Sequence, residues 1–208
     1  MRNITIIGSG GHSRSVISIL KTVRKWKKIS IIDIQFNGES ETILGTPVVG
    51  GMEFFDTLDP STTDVFVAIG DNSLRKDMIS FVINHGFKVP NLIHENATLD
   101  QDVMLGYGNF IGSGANIGPS VEIGDGNIVN NLVNLDHESK IGNWNHLSPS
   151  SVVCGRVVLG NLTWIGANST VIDGIEIADR TTIGAGAVVI QSIKKSGMVF
   201  AGVPAKQI

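Results

Sequence analysis

A chain of 208 residues with a formal net charge of -3 is long enough for two small domains, and we expect two. Nucleic acid is excluded as a main partner, because no excess of positive charge is present to neutralise a phosphate backbone. The chain has no apolar run long enough to span a membrane, no leader sequence, and a single cysteine, Cys154, so we expect a cytoplasmic protein without disulfides.

The first predicted unit is a strand, a glycine-rich loop and a helix. Residues 3–7 are predicted as a buried strand, and Gly8-Ser9-Gly10-Gly11-His12-Ser13 follow it before a helix with apolar residues at helical spacing. A glycine-lined loop lets a phosphate approach the N-terminus of the helix behind it. Ser13 holds the last glycine position of the G-x-G-x-x-G pattern, so a tight turn without a ligand is the alternative.

Two further strands are predicted in this half, and polar residues follow both. The strand Ile29 to Ile32 is followed by Asp33, and the strand Asp64 to Ile69 is followed by Gly70-Asp71-Asn72. Strands that alternate with helices predict a parallel, Rossmann-like sheet, which binds ligands at the carboxyl ends of its strands. We predict a nucleotide site made by Gly10, Gly11, His12, Asp33, Gly70 and Asn72. The alternatives are that His12 is an ordinary loop histidine and Asp33 an ordinary strand-end carboxylate.

Asp33 also raises a rival function. It lies about twenty residues beyond the glycine loop, where the carboxylate of a dehydrogenase holds the ribose of its cofactor. Against that function, about 90 residues supply only half of a dinucleotide-binding fold, with room for one mononucleotide site.

The second half of the chain carries a six-residue repeat. An aliphatic residue occupies every sixth position from Ile93 to Val189 without a gap. This period fits neither a helix nor a simple strand, but it fits a chain that turns a corner after each six-residue side. Three sides per coil predict a parallel β-helix of about five coils, in which residues eighteen apart lie above one another. The predicted domains are 1–90 and 91–208, and a purely structural β-helix is an alternative function.

One coil departs from this pattern at Asp136, His137 and Glu138. A histidine whose second ring nitrogen is held by a carboxylate can accept a proton near neutral pH, and amide formation from an amine requires removal of a proton. We predict His137 as a general base, oriented by Glu138 or Asp136; a solvated turn is the alternative. Apart from His94 at the start of the repeat, His137 and His146 are the only histidines in the coils, so we expect no zinc site of three histidines.

The eighteen-residue spacing predicts the neighbours of His137. Gly155 lies beside it in the next coil, where the absent side chain leaves room for an acyl group and a backbone N–H for an oxyanion. By the same spacing, His146 and Trp164 stack on another face. Cys154 adjoins Gly155, and we interpret this cysteine as packing rather than as a nucleophile.

The repeat, together with the closing Gly202-Val203-Pro204-Ala205-Lys206, resembles the hexapeptide-repeat acyltransferases. The whole chain is similar to sugar acetyltransferases related to sialic-acid O-acetyltransferases and amino-sugar N-acetyltransferases. The resemblance implies a left-handed parallel β-helix and a homotrimer that binds acetyl-CoA between subunits. It further implies N-acetylation of a UDP- or GDP-linked amino sugar for bacterial surface glycan synthesis, without a metal. The alternatives are O-acetylation of sialic acid or a related sugar, and a non-catalytic nucleotide-sugar-binding scaffold.

The resemblance also assigns roles to residues. The family's catalytic His-Glu pair matches His137 and Glu138, and its nucleotide loop, G-x-S-G-H-G, matches residues 8–13 with Gly10 and Ser13 as departures. The family's strand-end acid and its Ala-Ile-Gly-x-Asn segment match Asp33 and residues 68–72. The implied acetyl-CoA contacts are His146, Gly155, Trp164, Ala167 and Ala185.

Overall fold

The structure, a computed structural model, describes residues 1–39 and 41–208 and separates into Met1–Glu95 and Asn96–Ile208. The first unit is an α/β fold. Its strands are β1 (Asn3–Ile7), β2 (Ile29–Ile32), β3 (Glu41–Ile43), β4 (Thr46–Gly50), β5 (Thr63–Val67) and β6 (Leu92–Ile93). Its helices are α1 (Gly11–Val23), α2 (Met52–Phe55) and α3 (Asn72–Asn84).

Strand β1 is the centre of the first sheet, whose order is β3-β4-β2-β1-β5. It pairs in parallel with β2 and β5, and Ile7 lies opposite both Ile32 and Val67, so the three strands end at one edge. The strands are rich in aliphatic residues and almost wholly buried, as expected for a parallel sheet covered by helices. The predicted strand Asp64 to Ile69 is two residues shorter at its carboxyl end, because the chain leaves the sheet after Val67.

The second unit is a parallel β-helix whose strands form three stacks, and all but one of these strands are two residues long. One stack contains β7 (Thr98–Leu99), β10 (Asn116–Ile117), β13 (Asn134–Leu135), β16 (Val152–Val153), β19 (Thr170–Val171) and β22 (Val188–Val189). The second contains β8 (Met104–Leu105), β11 (Glu122–Ile123), β14 (Lys140–Ile141), β17 (Val158–Leu159) and β20 (Glu176–Ile177). The third contains β9 (Phe110–Ile111), β12 (Ile128–Val129), β15 (His146–Leu147), β18 (Trp164–Ile165), β21 (Thr182–Ile183), β23 (Val199–Ala201) and β24 (Lys206–Gln207).

The predicted register is confirmed by the strand pairs. Leu135, for example, pairs with Ile117 on one side and with Val153 on the other, each eighteen residues away. The second residue of nearly every coil strand points inward and is buried, which explains the aliphatic period of six. The α/β unit and the parallel β-helix thus confirm the predicted fold class.

A polar ladder also runs through the β-helix interior. The side-chain oxygen of Asn109 accepts a hydrogen bond from the backbone N–H of Asn127, and the pattern repeats from Asn127 to Asn145 and from Asn145 to Thr163. Each of these side chains is wholly buried, and each hydrogen bond joins one coil to the next. The ladder therefore satisfies backbone donors at the corner and holds the coils in register.

None of the helices in residues 1–39 and 41–208 combines the length and the apolar composition that a bilayer-spanning helix needs.

Candidate active site

His137 and Glu138 lie directly after strand β13. Glu138 has a left-handed backbone, with φ 58°, and its Oε2 lies 3.1 Å from Nδ1 of His137. Asp136 instead accepts a hydrogen bond from the backbone N–H of His137, at 2.8 Å. The structure therefore distinguishes the two carboxylates: Glu138 contacts the imidazole ring, and Asp136 holds the backbone that carries it.

The contact with Glu138 determines which nitrogen of the neutral His137 ring carries the proton. A carboxylate accepts hydrogen bonds, so the proton of a neutral His137 is placed on Nδ1 and the lone pair on Nε2. The Nε2 atom is then available to take a proton from another group. The side chains of His137 and Glu138 are 38% and 59% exposed in the single chain, so a substrate can reach them from the surface.

Gly155 lies against the His137 ring, as the register predicts. A Cβ atom built on Gly155 would lie 2.5 Å from both Cε1 and Nε2 of His137, which is closer than real Cβ contacts come. The position therefore tolerates only glycine unless the ring moves. The present position of the ring therefore depends on this missing side chain.

His146 and Trp164 pair across β15 and β18, with ring centroids 4.1 Å apart and planes tilted by 44°. His146 is buried and Trp164 is 37% exposed, so the indole offers an apolar surface to a ligand. Ala167 and Ala185 occupy equivalent places in successive coils, since the N–H that follows Ala185 donates to the Ala167 carbonyl. Four of the five predicted acetyl-CoA contacts are thus brought together in pairs, whereas Gly155 lies against His137, and the role of all five stays a prediction.

A cavity of about 330 Å³ opens at the carboxyl ends of β1, β2 and β5. Its lining includes the loop Gly8–His12, the segment Asp33–Gln35, the segment Ala68–Gly70, and Leu74. Five of the six predicted nucleotide contacts, Gly10, Gly11, His12, Asp33 and Gly70, line this cavity. Helix α1 begins at Gly11, so its first residues, Gly11 and His12, lie at the cavity.

Asp33 is held in place within this lining. One of its oxygens accepts a hydrogen bond from the backbone N–H of Ser9, at 2.6 Å, and the other accepts from the backbone N–H of Gln35, at 2.7 Å. Burial raises the pKa of Asp33, but hydrogen bonds from Ser9 and Gln35 outweigh it and leave the pKa below its ordinary value. The carboxylate is charged at neutral pH and keeps further lone pairs for a ligand hydroxyl.

Asn72, the sixth predicted contact, lies outside the cavity lining. Its side-chain oxygen accepts a hydrogen bond from Nη2 of Arg75 at 2.7 Å, and Nη1 of the same arginine donates to the carbonyls of Ile69 and Gly70 at 3.1 and 3.0 Å. Arg75 is 1% exposed, and burial lowers its pKa to about 9. Asn72 therefore helps to hold the loop through Arg75.

Sequence reasoning missed Arg75. A signal was present, because Arg75 shares the buried face of α3 with Ile79 and Val82, where an aliphatic residue is expected. An arginine in an apolar stripe requires hydrogen-bond acceptors inside the fold. The carbonyls of the cavity loop are those acceptors.

Cys154 precedes Gly155 and is partly buried. Burial raises the pKa of its thiol above the ordinary value, and the charges of Asp136 and Asp173 raise it further. A raised pKa disfavours the thiolate, which is the nucleophilic form. The structure thus supports the interpretation of Cys154 as packing. Within residues 1–39 and 41–208, no group of three or more His, Cys, Asp or Glu side chains is arranged to hold a metal ion.

Two family models match the chain. Residues 3–82 match the PglD N-terminal domain, and residues 156–191 match the bacterial transferase hexapeptide (six repeats).

Solved structures match over the whole length. PerB from Caulobacter crescentus, in complex with CoA and GDP-perosamine, is 34% identical with a TM-score of 0.92, over 100% of this chain and 98% of that chain. The acetyltransferase domain of PglB from Neisseria gonorrhoeae FA1090, in complex with acetyl coenzyme A, is 29% identical with a TM-score of 0.93, over 100% and 99%. A histidine-to-asparagine mutant of the Caulobacter crescentus perosamine N-acetyltransferase, in complex with CoA and GDP-perosamine, is 33% identical with a TM-score of 0.92, over 100% of this chain and 97% of that chain.

The role of Arg75 is testable by stability. Arg75→Ala leaves the part-buried carbonyls of Ile69 and Gly70 and the buried side-chain oxygen of Asn72 without their donor, and we expect the free energy of unfolding to fall by about 2 to 4 kcal/mol. Arg14 is a matched control, because it too donates to cavity-loop carbonyls, those of Ser9 and Gly10, but is exposed. Arg14→Ala should change stability by less than about 0.5 kcal/mol. Urea denaturation measures both, and equal losses would contradict the assignment.

Proposed function

The chain belongs to the hexapeptide-repeat sugar acetyltransferases with a PglD-type N-terminal domain, and we propose that it transfers an acetyl group from acetyl-CoA to the amino group of a nucleotide-linked amino sugar. The observation that carries the proposal is the His137–Glu138 pair against Gly155, since it supplies a partly exposed base whose ring position requires a glycine. The relative at 34% identity was solved with CoA and GDP-perosamine, which are the corresponding product and substrate types.

The proposed reaction is a direct transfer. The sugar amine attacks the thioester carbonyl while Nε2 of His137 takes a proton from the amine nitrogen. A C–N bond forms, and a tetrahedral oxyanion results. Collapse of this intermediate breaks the C–S bond, and the protonated His137 returns the proton to the CoA thiolate. The backbone N–H of Gly155 is our candidate donor to the oxyanion. No covalent enzyme intermediate is needed, which agrees with the raised thiol pKa of Cys154.

The cavity of the first unit is proposed to bind the nucleotide. The N–H groups at the start of α1 are suited to the diphosphate, and the charged Asp33 is suited to a ribose hydroxyl. Among the described residues, the first unit has four parallel strands, β4, β2, β1 and β5. Because a dinucleotide fold has six such strands, this count disfavours the dehydrogenase alternative. The nucleotide is proposed to be UDP or GDP, and GDP is the one bound by the relative PerB.

We expect the protein to work as a homotrimer in the cytoplasm. In the single chain both His137 and Glu138 are exposed to water, whereas a base and an oxyanion donor are most effective where water is excluded. A neighbouring β-helix is proposed to cover this face and to complete the acetyl-CoA groove along His146, Trp164, Ala167 and Ala185.

Release of free CoA thiol tests the proposed reaction. Purified protein with acetyl-CoA should turn over with a UDP- or GDP-linked amino sugar, and His137→Ala should lower kcat at least about 100-fold. His85→Ala is the control, because His85 is an exposed histidine of the first unit and should keep the wild-type rate. Turnover only with sialic acid or CMP-sialic acid would move the assignment to O-acetylation. Nucleotide-sugar binding without turnover on any acceptor would favour a scaffold.

The packing of Gly155 on His137 makes a second prediction. Gly155→Ala places a methyl group where the imidazole now lies, and the displaced ring should lower kcat at least about 100-fold. Cys154→Ala alters the adjacent residue without touching that ring space and should keep the rate within about twofold, since the thiol takes no part. The thiol-release assay measures both. A Gly155→Ala enzyme with the wild-type rate would show that the ring position is not critical.

The trimer is tested by mass. Static light scattering of the full chain should give three times the monomer mass. Dilution to concentrations at which the trimer dissociates should reduce the specific activity, because the proposed groove needs two subunits. A monomer with undiminished activity would contradict a shared site.

A further inference from the structure

Arg156 stands next to the His137–Glu138 pair in the following coil. Glu138 and Arg156 are eighteen residues apart and occupy the same corner, with left-handed φ angles of 58° and 56°. The backbone N–H of Arg156 donates to the carbonyl of His137 at 2.9 Å. Their equivalent backbones direct the two side chains along the same edge of the β-helix.

Asp173 fixes the guanidinium of Arg156. Its two carboxylate oxygens lie 2.9 and 2.8 Å from Nη2 of Arg156. The other terminal nitrogen, Nη1, lies 3.8 Å from Oε2 of Glu138, which is the same atom that contacts Nδ1 of His137. Side chains of alternating charge, Asp173, Arg156 and Glu138, therefore form a continuous line of contacts that ends at the imidazole.

We propose that Arg156, anchored by Asp173, is a positioning residue that holds the Glu138 carboxylate against Nδ1 of His137. The inference rests on the proposed function, in which Nε2 of His137 is the base. The side chain of Glu138 is 59% exposed, and a single contact with the ring would leave it free to take other rotamers. A cation on its other side restricts those rotamers, which keeps the Nδ1 proton in place and the Nε2 lone pair free.

This placement also argues against a direct role of Arg156 in substrate binding. Nη2 is already engaged by both oxygens of Asp173, and Nη1 faces Glu138. Charge neutralisation by two carboxylates leaves little net attraction for a phosphate. The residue should therefore affect the chemical step and leave the Michaelis constants unchanged.

Steady-state kinetics on the full chain test the proposal. Arg156→Gln should lower kcat about tenfold while KM for acetyl-CoA and for the nucleotide sugar stays within about twofold. Arg156→Lys should recover most of the loss, because it keeps the cation. Arg24→Gln is the matched control, since Arg24 is an exposed arginine with a left-handed φ of 49° in the first unit, and it should have no effect.

A double-mutant cycle separates positioning from a general structural effect. In a Glu138→Gln background, Arg156→Gln should cost almost nothing further, because the carboxylate through which it acts is gone. The same tenfold loss in both backgrounds, or a rise in either KM, would overturn the proposal.

A spectroscopic readout keeps the test independent of turnover. In ¹⁵N-histidine-labelled protein without substrates, the resonances of His137, assigned by comparison with His137→Gln, should report the Nδ1–H tautomer. They should shift toward a mixture of tautomers in Arg156→Gln and stay unchanged in Arg24→Gln. An unchanged tautomer in Arg156→Gln would overturn the positioning role. If the tautomer depends on Arg156 but the protein acetylates no acceptor, the positioning contact is upheld and the proposed function is rejected.

Discussion

Parallel pairing of each coil with the next is the constraint on which the second unit depends. It fixes an eighteen-residue register, so a residue's neighbours on the surface are those one coil before and after it. Gly155 beside His137, Trp164 beside His146, and Arg156 beside Glu138 all follow from this arithmetic. The interior ladder of Asn and Thr side chains protects the register, because a shift by one residue would bury polar surface without partners.

Much of this arrangement can be predicted from sequence because the repeat is rigid. The pairing of Gly155 with His137 needs only the period, and the period is visible in one aliphatic residue per six. The period does not show whether Asp136 or Glu138 contacts the His137 ring. That choice depends on the left-handed backbone at position 138, which turns that carboxylate toward the ring while Asp136 returns to the main chain. Left-handed corners recur here at non-glycine residues, so residue type alone does not reveal them.

The contacts of long side chains are also difficult to predict from the sequence. The sequence places Asn72 at the end of a strand, where a ligand contact is a reasonable expectation, but Arg75 reaches back from the next turn of α3 and takes its side-chain oxygen. The same arginine holds the carbonyls of Ile69 and Gly70, and the strand ends at Val67 rather than at Ile69. A pattern of apolar positions predicts the elements, whereas the hydrogen bonds of one buried guanidinium decide how the loop between them is shaped.

In the proposed function, the two units meet different binding problems by the same means. In the first, backbone N–H groups at a helix start and a carboxylate held by two amides would provide fixed dipoles for a phosphate and a hydroxyl. In the second, a side chain on a fixed coil edge would provide the base, and the absence of a side chain at Gly155 leaves room for its ring. Both depend on groups whose orientation is set before a ligand arrives, which reduces the reorganisation needed during the reaction. On an exposed edge such preorganisation requires charged neighbours, and Arg156 with Asp173 is our proposed pair of such neighbours for Glu138.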